Sequence, residues 1–198
     1  RYSHVTHGGF PKCLALAAQA LLVSTYFIPT TGVNDRVNQG FSAVQQYFGG
    51  GETYANVGIR LELWRGALHL IRHHPLLGAS GPAVRAELED MVAKHQVHPY
   101  VLNFEHFHND ILQVLVYGGV VGLIAWGATM VMPFLFFLGQ MKDKALNAPA
   151  LAGALLVLSY FSFGLTEVIF WSVRSNMFYA MMLFLLAGLC LNAKEEQQ

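Results

Sequence analysis

From Ile111 to Leu138 the chain runs without a single charged side chain or histidine. A stretch this long and apolar is enough for a helix to cross the roughly 30 Å hydrocarbon core of a bilayer, where the backbone can satisfy its polar groups only within itself. It exceeds what a perpendicular span needs, so it either tilts or begins as an interfacial helix. Three other runs qualify as spans: Pro11 to Ile28 is just long enough, while Leu151 to Leu165 and Asn176 to Leu191 are shorter. With 54% hydrophobic and only 12% charged residues, the composition is wrong for a soluble domain. The expected fold is an all-α integral membrane protein, a polytopic helical bundle.

Four spans organise the chain as a first span at 1–28, a large polar loop at 29–110, and three further spans with a tail at 111–198. Lys142 and Lys144 in one short connection and Arg1, Lys12 and Lys194 at the termini then share a side. The positive-inside rule makes that side cytoplasmic and sets the large loop on the other. Net charge is zero, so no basic excess suggests a nucleic-acid partner. Cys13 and Cys190 fall near the cytoplasmic ends of spans, where a structural disulfide is not expected, and read as small apolar fillers. The opening Arg1-Tyr2-Ser3-His4 has no initiator methionine and no signal-peptide cleavage pattern follows it, so the chain reads as the C-terminal part of something longer.

Within the loop, Gly49-Gly50-Gly51 marks a joint, and Asn56 or a neighbour is placed to cap a helix from about Gly58 to His73. On it, Leu61, Trp64, Ala67, Leu68 and Ile71 share one face, and Glu62, Arg65, His69, Arg72 and His73 the other. An amphipathic helix of this kind is expected to lie along the membrane surface. Pro75 ends it, and Gly81-Pro82 opens a second short helix through about Lys94. Arg60 breaks the pattern by projecting on the apolar side. It either bends back to water from the first turn or grips a phosphate, for which a bidentate guanidinium fork near a helix N-terminus is suited.

The polar cluster Glu105-His106-Phe107-His108-Asn109-Asp110 abuts the long apolar run. Ionisable groups at the lip of a span are costly to keep there and commonly belong to a site. Asn109 is a favourable N-cap for the helix that follows, which leaves His108 just outside it. An imidazole there can take a proton from a hydroxyl, or simply hydrogen-bond a loop carbonyl. Glu167 and Arg174 bracket the last external connection; they pair with each other, the simpler reading, or contribute to the site. Histidine pairs at 69/73, 95/98 and 106/108 have spacings seen among metal ligands, but no His-Glu-x-x-His, paired cysteine or Asp-rich pair accompanies them, so no metal is expected. Hydrolase elbow, Walker and Rossmann signatures are absent from the sequence. Gly118-Gly119-Val120-Val121-Gly122 lies in an apolar span and reads as close helix packing rather than a phosphate loop.

Taken in order, Arg60-Leu61-Glu62-Leu63-Trp64, His73-His74-Pro75-Leu76-Leu77-Gly78, His106-Phe107-His108-Asn109 and Tyr117-Gly118-Gly119-Val120-Val121-Gly122 resemble the C-terminal region of the O-antigen ligase and polymerase superfamily, best its ligase branch. The resemblance covers roughly Gly58 to Leu138. It implies a GT-C-like membrane glycosyltransferase of the bacterial inner membrane, with a large periplasmic loop carrying the site. The implied donor is an undecaprenyl-diphosphate-linked O-antigen and the implied acceptor a sugar hydroxyl of lipid A-core, with inversion and with neither metal nor nucleotide cofactor. Carried over by position, Arg60 matches the arginine that engages the diphosphate and His108 the histidine required for transfer; Arg174 and Asn109 are further candidates by their place in the chain, not by the resemblance. A polymerase or a protein O-oligosaccharyltransferase of the same superfamily, or a non-catalytic lipid or glycan transporter, are the alternatives.

Overall fold

The computed structural model describes residues 24–50, 56–143 and 146–195. The chain divides into two units, one ending at Gly58 and the other beginning at Ile59. In the first, a 3-10 turn at Pro29–Thr31 is closed by Gly32 and leads into α1 (Val33–Phe48). The second holds α2 (Asn56–His73, from Ile59 onward), α3 (Gly81–Ala93), α4 (Asp110–Gln140), α5 (Asn147–Gly164) and α6 (Val173–Glu195), with 3-10 turns at Pro99–Asn103 and Ile169–Trp171. No strand occurs among the described residues.

The two helices expected in the loop are α2 and α3, with Pro82 in the first turn of α3. Their apolar faces turn toward each other. Leu63, Ala67 and Leu70 of α2 pack with Val84, Leu88 and Met91 of α3, with Val97, Val101 and Phe107 of the intervening segments, and with Val116 of α4. The expected membrane-surface face of α2 is thereby corrected. Leu68 is 49% exposed while Glu62, assigned to the polar face, is buried and accepts a hydrogen bond from the His98 backbone N–H at 2.6 Å. Packing on α3 rotates the buried stripe toward Leu63 and Leu70, each contributing about 1.5–3 kcal/mol by leaving solvent.

A backbone contact joins this helical layer to the membrane helices. The turn after α2 inserts into a break in α4 at Gly119, whose φ of 60° and ψ of −157° lie outside the helical region. There the freed backbone groups pair with the turn: Val120 N–H to Pro75 O at 2.9 Å, Val121 N–H to Leu76 O at 3.2 Å, and Ala79 N–H to Val116 O at 2.8 Å. A Cβ on Gly119 would run into the Leu76–Leu77 backbone, and one on Gly78 into that of Tyr117–Gly118. The glycine run serves close packing, as expected, but against a turn rather than a helix. The break divides α4 into a helical segment at 110–118 that packs against the turn and a longer segment after it.

Three helices are long and apolar enough to span: Asp110–Gln140, Asn147–Gly164 and Val173–Asn192. They match the last three expected spans to within a few residues; Pro11 to Ile28 lies largely outside the described residues. Phe137 is buried against Leu186 and the smaller Ala150, Ala154 and Cys190; small residues let helices approach in lipid. Cys190 is therefore a filler as expected, and Cys13 lies outside the described residues. Ile124, Met132, Leu135, Leu155 and Phe184 remain exposed, as side chains facing lipid do.

Gly119→Ala is expected to destabilise the protein by on the order of 2 kcal/mol or more, from both its positive φ and the backbone clash. Gly127→Ala, in open space on the same helix, is the control and is expected to be neutral or slightly stabilising. Thermal unfolding in detergent separates the two.

Candidate active site

The site is built where α4 begins. Asn109 caps the helix, its Oδ1 accepting from Leu112 N–H at 3.0 Å, and its Nδ2 donates to Leu165 O at 2.9 Å. Asp110, only 1% exposed, accepts from the Ile169 and Phe170 N–H groups at 3.3 and 3.4 Å. Two adjacent side chains thus fold the α5–α6 connection back onto the start of α4. The fit is close, because a Cβ on Gly164 would lie 2.5 Å from Asp110 Oδ2. From the other side, Trp64 Nε1 of α2 donates to Phe107 O at 2.9 Å, and Gln113 Oε1 accepts from Phe107 N–H at 3.1 Å. His108 is held between these anchors with φ of 50°. That left-handed backbone costs a non-glycine residue about 1 kcal/mol and persists only where its surroundings enforce it.

The enforced backbone aims His108 at Glu167. Glu167 Oε1 lies 2.7 Å from His108 Nδ1, and Oε2 lies 3.2 Å from Arg60 Nη2, while Arg60 Nη1 donates to Thr166 O. One carboxylate therefore joins residues 59 and 107 positions away in sequence. Burial pushes the Glu167 carboxyl up, but the His108 hydrogen bond and the charges of His108, Arg60 and His106 outweigh it and hold the group below the ordinary glutamate range. An ionised carboxylate can only accept, so Nδ1 of His108 donates to it. The neutral imidazole then carries its lone pair on Nε2, the arrangement a general base needs.

Arg60 neither bends back to water nor meets a phosphate here; its guanidinium is held by the Glu167 carboxylate and the Thr166 carbonyl. The partner of His108 is likewise a carboxylate and not a loop carbonyl. Glu167 does not pair with Arg174, which lies in the first turn of α6, is exposed, and forms no ion pair among the described residues. The pairing reading fails because the helix begins at Val173, earlier than expected, and carries Arg174 out of the connection. Glu167 was the member of this group hardest to recognise from the sequence, although a lone carboxylate between two apolar spans is itself a signal.

His106 stacks edge-on against His108 with ring centroids 4.3 Å apart, and its Nδ1 is buried without a hydrogen-bond partner among the described residues. Burial first, then the neighbouring His108, holds its pKa below the ordinary imidazole value. It borders a cleft of about 280 Å³ shared with Phe104, Glu105 and Trp171. His106, His108 and Glu167 offer ligating atoms within 4.8 Å of one another. A cation there would have to take Glu167 from His108 and Arg60, which already occupy both oxygens.

Comparison with known proteins places this arrangement. Residues 9–127 match the family described as O-antigen ligase. The chain belongs to the O-antigen ligase family. The matched region contains Arg60, His106, His108 and Asn109, and stops before Glu167. An uncharacterized protein of Haemophilus influenzae is 24% identical over 176 residues, a match covering 87% of this chain and 43% of that protein. The chain thus spans less than half the length of the curated relative it matches.

Because the folded-state pKa of Glu167 is lowered, its contribution to stability is full above the ordinary carboxylate range and is lost as pH falls through the lowered value. Glu167→Gln is therefore expected to flatten the acid limb of the pH–stability curve, measured by thermal unfolding from pH 7 downward. Equal acid sensitivity in both proteins would mean that the carboxylate is not held as described.

Proposed function

We propose that the whole protein transfers a glycan from undecaprenyl diphosphate to a sugar hydroxyl of lipid A-core on the periplasmic face of the inner membrane, with inversion and without a metal. The observation that carries this reading is the Glu167 carboxylate held between Arg60 and His108, which puts a base and a phosphate-binding cation at one point beside a membrane helix. Family membership supplies the reaction class.

In this mechanism the acceptor hydroxyl gives its proton to His108 Nε2 as its oxygen attacks the anomeric carbon. The bond from that carbon to the diphosphate oxygen breaks, and its electron pair leaves with the diphosphate. Glu167 fixes the tautomer of His108 and stabilises the imidazolium that forms. Arg60 uses one N–H on Thr166 O and one on Glu167, leaving further donors for the charge developing on the leaving group. Tethering Arg60 through Glu167 preorganises the cation next to the base, so neither has to be gathered when substrate arrives. The cleft bordered by His106 and Trp171 supplies aromatic faces and polar edges for the acceptor sugar.

The test is transfer of lipid-linked O-antigen to purified lipid A-core by the full-length protein, with chelator present. Wild type is expected to form product, and folded His108→Ala to lose about 10²–10⁴-fold in rate. Arg60→Lys, which keeps the charge but loses the fork, is expected to lose roughly tenfold or more, the scale of one charge-assisted hydrogen bond. Full activity of His108→Ala would remove the proposed base, and product formed only on a lipid-linked or protein acceptor would move the enzyme to a polymerase or oligosaccharyltransferase role.

A further inference from the structure

A second group of ligating side chains lies at the other end of α2. His69 and His73 are one helical turn apart with ring centroids 4.1 Å from each other. Glu87 of α3 faces them, and one ligating atom from each residue falls within 4.8 Å of the others. Arg60 and His73 sit 13 positions apart on one helix, about 20 Å along its axis. The group is therefore separate from the one around Glu167.

The Glu87 carboxylate is presented in a way that an ion pair alone does not require. Oε1 takes a hydrogen bond from His74 Nε2 at 2.5 Å. Oε2 is buried, makes no hydrogen bond among the described residues, and stands 3.4 Å from His73 Nδ1. That separation is long for a hydrogen bond but close to the edge of a coordination tetrahedron, roughly 3.3 Å for metal–ligand bonds of about 2.0–2.1 Å. His74 then supplies the outer hydrogen bond that orients a ligating carboxylate.

We propose that His69, His73 and Glu87 bind a zinc ion, with water in the fourth position, stapling α2 to α3 across the Pro75–Gly78 turn. Two imidazoles with one carboxylate suit zinc, whereas magnesium and calcium prefer oxygen-only shells. Arg65 and Arg72, which with Met91 and Gln96 line the cleft outside His69, oppose a dication and keep the affinity moderate. Glu87 offsets one of its charges. The ion would reinforce the turn that enters the break in α4 at Gly119, a structural role independent of the transfer reaction.

The experiment is calorimetric titration of Zn²⁺ alone into tag-free, chelator-stripped full-length protein near pH 7.5. Wild type is expected to bind at a saturable site, with affinity at least tenfold weaker in His69→Ala and in His73→Ala, and with His108→Ala binding as wild type does. His73 is solvent-exposed, so its variant is expected to unfold at the wild-type temperature without metal; zinc should then raise the unfolding temperature of wild type alone. Undiminished binding by His73→Ala, or no saturable binding by wild type, overturns the proposal. Loss of binding in His108→Ala with retention in His73→Ala also overturns it, by placing the ion on the His106–His108–Glu167 group.

Discussion

The site depends on one carboxylate having two hydrogen-bonded basic partners. Glu167 can serve His108 and Arg60 together only because Asn109 and Asp110, the two residues that open α4, bind the backbone of the α5–α6 connection. Without that clamp, nothing would hold a carboxylate from a short loop at the mouth of a different helix. The helix start is therefore both a structural cap and the register mark for the chemistry. His108 sits immediately before the cap with a left-handed φ, so its orientation is set by the same interactions that start the helix.

The layer formed by α2 and α3 has the complementary task of delivering Arg60. Its core of Leu63, Leu70, Val84 and Leu88 makes the loop region a packed body with its own interior. Trp64 ties that body to the Phe107 carbonyl, and the Pro75–Gly78 turn ties it to the break at Gly119. Arg60 is thereby carried to Thr166 and Glu167 by a helix attached at two places, to Phe107 just before α4 and, through the turn that follows it, to the break at Gly119. A base and a cation held at fixed separation is the form in which electrostatic stabilisation is worth most, since no reorganisation remains for the reaction step.

Much of this was legible in the sequence. Apolar length alone located α4, α5 and α6, and glycine and proline punctuation bounded α2 and α3. The cost of charge near lipid singled out His108, and the amphipathic pattern singled out Arg60 as a cation on the wrong face. What periodicity could not give was the rotation of α2. A stripe of apolar residues looks the same whether it meets lipid or another helix, and the buried Glu62 accepts a hydrogen bond from a His98 N–H that lies far away in sequence. Glu167 was obscured for a different reason. Its partners are distant in sequence, while Arg174 offered a nearby charge whose relevance vanished once the helix was found to start at Val173.

The claim at the centre of this account is that Glu167 acts through His108 rather than beside it. A double-mutant cycle on the full-length protein, comparing single-turnover transfer rates of Glu167→Ala, His108→Ala and the double variant, tests it most directly. The predicted result is non-additivity: once His108 is gone, removing Glu167 lowers the rate little further beyond its smaller effect through Arg60. Losses that multiply in full would contradict the account, because they would mean that the two residues contribute separately.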